Sequence, residues 1–456
     1  MEWDRGAEVV VVGGGGCGLM AAITAATFAG GVTVILLEKD SSVSPNSWIG
    51  GGMLQAAGTR FQRAVGIDDS PELMAQDIVR KNHGKSDPEL TLHLCRRSAD
   101  VVHWFADDLG VPIEFAPETV WLGHRRPRMH AHPRRSGAPL LEALRARIAR
   151  LPNVAFADHT AGCGLITDAE GVVVGVLAGR EGQVRRIGGR RVVLATGGFG
   201  ASRDLLARYI PDVVDAPYLG SPSNTGEGIR WGMEVGAAVE HMTGYQGLGF
   251  AVPGTGTRLN PGLISAGGIM VNTAAERFDR EDQGYSEWAG IVLRQPGGIA
   301  IAIWDEHIHR PIEWTNTMVT SQRAGAIVRC QEIREVARHF GLDEDRLVRT
   351  LGEYNRGVAE GRDWLGRELL THQLAPPFYA AKVTGALAHT QGGLKIDFSG
   401  RVLRPDGSVV PNLYAGGGTA AGLSGDTPEG YTSGNGLLTA YTLGRIIGQH
   451  AVTSLR

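Results

Sequence analysis

A glycine-rich turn near the N-terminus constrains this chain more than anything else in it. Gly13, Gly15 and Gly18 follow the spacing G-x-G-x-x-G. They come directly after the apolar run Glu8 to Val12, which reads as a buried parallel strand. They open an Ala-rich stretch, Leu19 to Ala29, which reads as a helix stopped by Gly30-Gly31. Val32 to Leu37 is a second strand, closed by Glu38. In such a β-α-β unit Gly13 permits the tight turn, Gly15 lets the backbone approach a pyrophosphate, and Gly18 lets the helix pack on the strand. The helix N-terminus offers free N–H groups and a positive dipole end to phosphates. Glu38 stands 20 residues beyond Gly18, where a ribose-binding acid is expected. The motif does not say which dinucleotide binds.

Residues 9 to 37 carry no charge, which invites a membrane reading. Four successive glycines, Gly13 to Gly16, argue against it, since each weakens a helix by about 1 kcal/mol. The stretch also divides into elements too short to span a bilayer. Formal charge is -3, so no basic surplus points to nucleic acid or an anionic membrane. Cys17, Cys95, Cys163 and Cys330 form no C-x-x-C pair, so no zinc, iron–sulfur or c-type haem pattern is present and no metal is expected. Reduced thiols and the lack of a signal-peptide pattern lead to the expectation of a cytoplasmic chain. Cys17, inside the turn, reads as a small apolar filler.

At 456 residues the chain suits two domains. Pro71 to Arg80, Leu90 to Leu109 and Gly137 to Arg150 have helical character. Gly162 to Thr167 and Val172 to Gly179 read as a hairpin, and Arg191 to Thr196 as another buried strand. From about 241 to 379 the texture changes to scattered Trp and charge, with helical segments at Ala324 to Phe340 and Asp343 to Glu360. Dense glycine signals return at His389. The expectation is an α/β fold in which a Rossmann-like domain, 1–240 and 380–456, is interrupted by an inserted α+β capping domain, 241–379.

Six short motifs in order make the chain similar to the fumarate reductase/succinate dehydrogenase flavoprotein superfamily, which includes 3-ketosteroid dehydrogenases. They are Pro45-Asn46-Ser47 with Gly50-Gly51-Gly52-Met53; Ala195-Thr196-Gly197-Gly198-Phe199; Thr225-Gly226-Glu227-Gly228; Asn272 with Glu276-Arg277-Phe278; Ala388 to Leu394 around His389-Thr390; and Asn412 to Gly417. The resemblance implies FAD. Covalent members use a His in the early loop. Asn46 occupies that neighbourhood, so non-covalent FAD is expected. Gly418 stands where the family often has a Glu contacting the cofactor. Lys39, Ser47, Gly51, Gly52, Ala195, Thr196, Gly197, Gly418, Gly436 and Leu437 are the further cofactor-binding candidates. Gly434-Asn435-Gly436 precedes the last helix, whose N-terminus, aimed at the flavin, would stabilise its anionic reduced form.

Dicarboxylate enzymes of the family clamp their substrate with an early cap His and a final-motif Arg, and move a proton with a cap Arg. Here those positions fall near Gln246 to Leu248, on Tyr431 and near Tyr285, leaving only His389. Two carboxylates would be held poorly without those cations. Tyr285 and Tyr431 resemble the ketosteroid dehydrogenase branch. The implied reaction is α,β-dehydrogenation of a carbonyl compound: Tyr431 and the Gly434 N–H polarise the oxygen, Tyr285 takes the proton, and His389 is a relay or second donor. Arg128, His130 and His132 form a basic cluster suited to one substrate carboxylate, which suggests a cyclic keto acid. Arg277 is the remaining substrate-binding candidate, with a tie inside the cap as its alternative. An enoate reductase and a non-catalytic FAD-binding subunit are the competing readings. The partners expected are a small-molecule substrate and an electron acceptor (oxygen, a quinone or a carrier protein).

Overall fold

A computed structural model describes residues 2–117, 123–180 and 182–456. The chain forms two compact units. The first comprises residues 1–211, 220–246 and 389–456, and the second residues 212–219 and 247–388. The boundaries expected from texture were 240/241 and 379/380.

The first unit is built on a mostly parallel sheet. Strand β1 (Arg5–Val12) is followed by helix α1 (Gly16–Thr27) and strand β2 (Val34–Leu37). β1 pairs in parallel with β2 on one side and with the strand Gln183–Leu194 on the other. The sheet continues to Val154–Ala157 beyond β2 and to Val409–Ala415 beyond Gln183–Leu194. Val12, Leu37, Leu194 and Ala415 lie in register at the carboxyl ends of their strands. The glycine turns that follow those ends therefore open at one edge of the sheet, the edge where such folds bind ligands.

α1 is buried on nearly every side, and the last helix (Asn435–Thr453) packs against it. The approach is close because glycines lie at the contact: a Cβ on Gly444 would sit 2.5 Å from the Cys17 carbonyl oxygen. A small antiparallel sheet of Leu54–Gln55, Glu114–Ala116 and Met129–Ala131 completes the site's surroundings in this unit.

The second unit carries a five-stranded sheet with Ile299–Asp305 antiparallel to Phe378–Thr390 and Ile269–Val271 antiparallel to Ile299–Asp305. Its core includes Trp288, Trp304, Phe250 and Tyr354, all essentially inaccessible to solvent.

Two elements depart from expectation. The strand expected from Arg191 begins at Gln183, because its first half pairs with the hairpin strand Val173–Arg180 and not with β1 alone. That half is rich in exposed Arg and Gln, which masks the strand pattern. A helix Asn316–Arg323 ends just before the helix expected over 324–340, and that range is instead two elements, a strand Val328–Cys330 and a helix Ile333–Phe340. Gly325 takes a left-handed φ of 67°, which ends the first helix, and Val328 to Cys330 gain a partner in Phe378 to Ala380. Among the described residues no helix is long and apolar enough to cross a membrane, and no cluster of His, Cys, Asp and Glu could hold a metal.

Candidate functional site

The glycine turn forms the first half of the site. Gly13 has φ 109°, and a Cβ there would meet the Ala195 carbonyl oxygen at 2.2 Å. Gly15 is the N-cap of α1 and brings no side chain to the cap. Gly18 lies inside the helix, where a Cβ would fall 1.8 Å from the Gly13 carbonyl oxygen. Gly14 N–H donates to Glu38 Oε2 at 2.6 Å, and Asp40 N–H donates to Glu38 Oε1 at 3.0 Å. The acid at the end of β2 is thereby aimed at the turn. Ser47 accepts from Gly16 N–H at 3.0 Å, and Asn46 Oδ1 accepts from Ser221 N–H at 2.6 Å. Both loop residues are thus fastened beside α1. Gly51 borders the loop, and Gly52, φ 65°, leaves no room for a Cβ against the Ser136 carbonyl. Lys39 donates to the Ser223 carbonyl and to Glu227, which ties it across the first unit.

The second half of the cradle comes from later turns. Ala195, Thr196 and Gly197 follow the strand Gln183–Leu194, with Gly197 at φ 80°. Thr419 bonds both the Thr196 hydroxyl and the Gly197 carbonyl. Gly418 is exposed beside Gly198. Gly434, φ 90°, is the N-cap of the last helix and contributes no side chain; Gly436 and Leu437 are half-exposed in its first turn. Two uncapped helix N-termini, a glycine-lined turn and an aimed acid fit the phosphates, ribose and ring of a flavin dinucleotide. Cys17 is buried within α1, and burial pushes its thiol up to about 12, so it is apolar filler rather than a redox group.

At the N-terminus of the last helix two aromatic side chains meet. The rings of His389 and Tyr431 lie edge to face, with centroids 5.6 Å apart at 76°. Tyr431 is buried. A Cβ on Gly436 would lie 3.3 Å from both Cε1 and Nε2 of His389, so that edge of the imidazole faces the helix start. Burial pushes the His389 imidazole down to about 4, with a contact to the Thr390 carbonyl opposing it. The ring is therefore uncharged at neutral pH. Tyr431, His389 and Gly434 are brought into one neighbourhood of the first unit.

The basic cluster is spent on the fold. Arg128 is fully buried and bonds Asp69 at 2.8 and 2.9 Å and Asp77 at 2.6 Å. His130, also fully buried, lies 2.8 Å from the Thr59 hydroxyl and 3.0 Å from the Arg128 carbonyl oxygen. His132 accepts from Arg134 N–H at 3.0 Å in a half-exposed turn. A substrate carboxylate finds no free cation at Arg128, and the geometry assigns that residue to the scaffold. Spacing alone cannot separate such a cluster from a ligand site, because the acids that consume it, Asp69 and Asp77, are 51 to 59 residues away.

In the second unit Tyr285 is half-buried against that unit's own core, just before the helix Glu287–Leu293, and its carbonyl accepts from Gly249 N–H. Arg277 is not free for substrate. It bonds Glu281 at 2.7 Å and Asp363 at 2.6 Å, lies over the Tyr354 ring, and shares Glu281 with buried Arg367. Replacing Arg277 by Met should leave Asp363 without its cation and cost on the order of 3–5 kcal/mol. Chemical unfolding of the variant measures this; a loss below about 1 kcal/mol, the usual worth of an exposed pair, would show the network to be dispensable.

The polar residues that sequence reasoning missed are Gln391, Ser424, Asn435 and Gln55. Gln391 Nε2 lies 3.0 Å from His389 Nδ1, and Ser424 donates to Gln391 Oε1 at 2.9 Å. Gln391 was visible only as the variable place in a His-Thr-x-Gly-Gly run, and Gln55 lies in no motif.

The model of the family described as "FAD binding domain" matches residues 8–436. A probable fumarate reductase of Shewanella frigidimarina is 28% identical over 449 residues, covering 97% of this chain and 74% of the relative. The open conformation of a flavocytochrome c3 fumarate reductase superposes with a TM-score of 0.83 at 27% identity, over 99% of this chain and 78% of that one. A 3-ketosteroid-Δ4-(5α)-dehydrogenase from Rhodococcus jostii RHA1, solved with 4-androstene-3,17-dione, gives a TM-score of 0.80 at 27% identity, over 99% and 98%.

Proposed function

The chain belongs to the FAD binding domain family, and on that premise we propose that it is a dehydrogenase introducing a C=C bond α,β to the carbonyl of a small ketone. A cyclic keto acid such as an oxocyclohexane carboxylate is the substrate type it would suit. The observation that carries this reading is the meeting of the His389 and Tyr431 rings, 5.6 Å apart beside the last helix. Dicarboxylate binding at that place would call for cations, and an uncharged imidazole with a phenol suits a carbonyl oxygen instead. Similarity to a ketosteroid dehydrogenase over nearly both whole chains supports the same class.

FAD, when bound, supplies the acceptor for the hydride leaving the β-carbon. Tyr431 and the Gly434 backbone N–H polarise the carbonyl oxygen, which acidifies the α-carbon. Tyr285, acting as its phenolate, is assigned removal of the α-proton and becomes the phenol. Asn46, with its amide oxygen already engaged by Ser221, offers the cofactor no covalent attachment. Oxygen, a quinone or a carrier protein reoxidises the flavin. Four free cysteines suit the reducing cytoplasm.

A second reading, an enoate reductase of an unsaturated acid, is favoured by the fumarate reductase name of the Shewanella relative. The same protein can be asked to decide. Mixed anaerobically with cyclic ketones and keto acids, the oxidised holoenzyme should lose its flavin absorbance near about 450 nm. No bleaching, with reoxidation of the dithionite-reduced enzyme by an unsaturated acid, would replace dehydrogenation by reduction.

A further inference from the structure

Behind His389 the first unit holds neutral polar side chains joined end to end. Gln55 Nε2 donates to Asn435 Oδ1 at 2.6 Å, and Asn435 Nδ2 donates to Ser424 Oγ at 3.2 Å. Ser424 Oγ donates to Gln391 Oε1 at 2.9 Å, and Gln391 Nε2 lies 3.0 Å from His389 Nδ1. Gln55, Asn435, Ser424 and Gln391 are between 0% and 5% exposed. They come from four separate stretches of sequence.

A hydroxyl has one hydrogen and an amide has distinct donor and acceptor ends. Ser424 receives from Asn435, so its hydrogen goes to Gln391 and meets the amide oxygen. That turns the Gln391 NH₂ toward His389. A neutral imidazole carries one N–H, so an accepting Nδ1 leaves the proton on Nε2. Nε2 is on the ring edge that faces Gly436 at the start of the last helix. The chain therefore transmits one polarity from Gln55 to the reacting end of the histidine.

We propose that Gln391, oriented by Ser424, Asn435 and Gln55, is a positioning residue that holds His389 as its Nε2–H tautomer, so that His389 donates a hydrogen bond to the substrate oxygen and does not remove a proton. The identity of that oxygen as a carbonyl rests on the function proposed above; the tautomer does not. The competing partner is the Thr390 carbonyl oxygen, 3.2 Å from the same Nδ1. If it captured the proton, Nε2 would become an acceptor and His389 a base, which is the opposite chemistry.

Nitrogen–proton correlation spectra of the FAD-loaded protein, labelled at histidine nitrogens and free of substrate, read the tautomer directly. The signal that disappears in His389→Gln belongs to this residue. It should report a protonated Nε2 and a bare Nδ1. Gln391→Glu places an acceptor-only carboxylate against Nδ1 and should move the proton there, and Gln391→Leu should let Thr390 draw it across. A protonated Nδ1 in the unsubstituted protein overturns the proposal. So does an Nε2–H that persists in both variants. Should the variants fail to fold, the unsubstituted spectrum decides alone. No ketone enters the measurement, so failure of the dehydrogenase reading leaves its result unchanged and is told apart by the bleaching experiment.

Discussion

Tyr431→Phe is expected to lower turnover about 10²–10³-fold, the cost of removing one donor that stabilises a developing oxyanion. The substitution deletes one oxygen and keeps the ring. Packing against His389 should survive, because the edge-to-face contact involves the aromatic faces and not the hydroxyl. FAD content should be unchanged, since the glycine turn and the start of the last helix are untouched. KM should move little if the phenol acts mainly on the charge that develops as the α-proton leaves. Steady-state rates with the ketone that bleaches the flavin, and flavin absorbance per protein, provide the two readings. Turnover within a few-fold of the unsubstituted enzyme would remove Tyr431 from the polarising role. His389 would then be left as the side-chain donor beside the helix start.

The contrast between what could and could not be read from the sequence has a physical cause. The glycine turn was legible because its chemistry is local: Gly13, Gly15, Gly18 and Glu38 lie within one β-α-β unit, and backbone sterics dictate each. The pairing of His389 with Tyr431 is not local, and it became visible only through resemblance. Arg128 and Arg277 show the limit most clearly. Each is a cation in a suggestive place, yet each is held by acids far away in sequence: Asp69 and Asp77 for Arg128, and Asp363, beside the nearby Glu281, for Arg277. A buried Arg must be paired, so burial, not charge, separates a scaffold residue from a substrate ligand. The helix expected over 324–340 failed for a related reason. Its Val328 to Cys330 segment gains more from ladder bonds to Phe378 to Ala380 than helical propensity offers.

Gly18→Ala should do to the cofactor what Tyr431→Phe does to the chemistry. The added Cβ would lie 1.8 Å from the Gly13 carbonyl oxygen and 3.3 Å from Ala195 Cβ. Neither the turn nor the following strand end is the far end of a flexible side chain, so backbone must move. α1 cannot retreat freely, because Gly444 and Gly448 already hold the last helix against it at distances that leave no room for a Cβ. The strain, about 1–3 kcal/mol for overpacking, falls on the turn that fits the pyrophosphate. Since every 1.4 kcal/mol is tenfold in affinity, FAD binding should weaken roughly 10–100-fold. Gly352→Ala is the matched comparison. Gly352 sits inside the helix Glu344–Glu360 with nothing within 4 Å of its Cβ position. There the same substitution should stabilise by about 0.5–1 kcal/mol and leave FAD affinity alone. Titration of apoprotein with FAD separates the two. Equal affinity in both variants would mean that the close approach at Gly18 does not shape the dinucleotide site, and that α1 shifts despite the close packing of the last helix at Gly444 and Gly448.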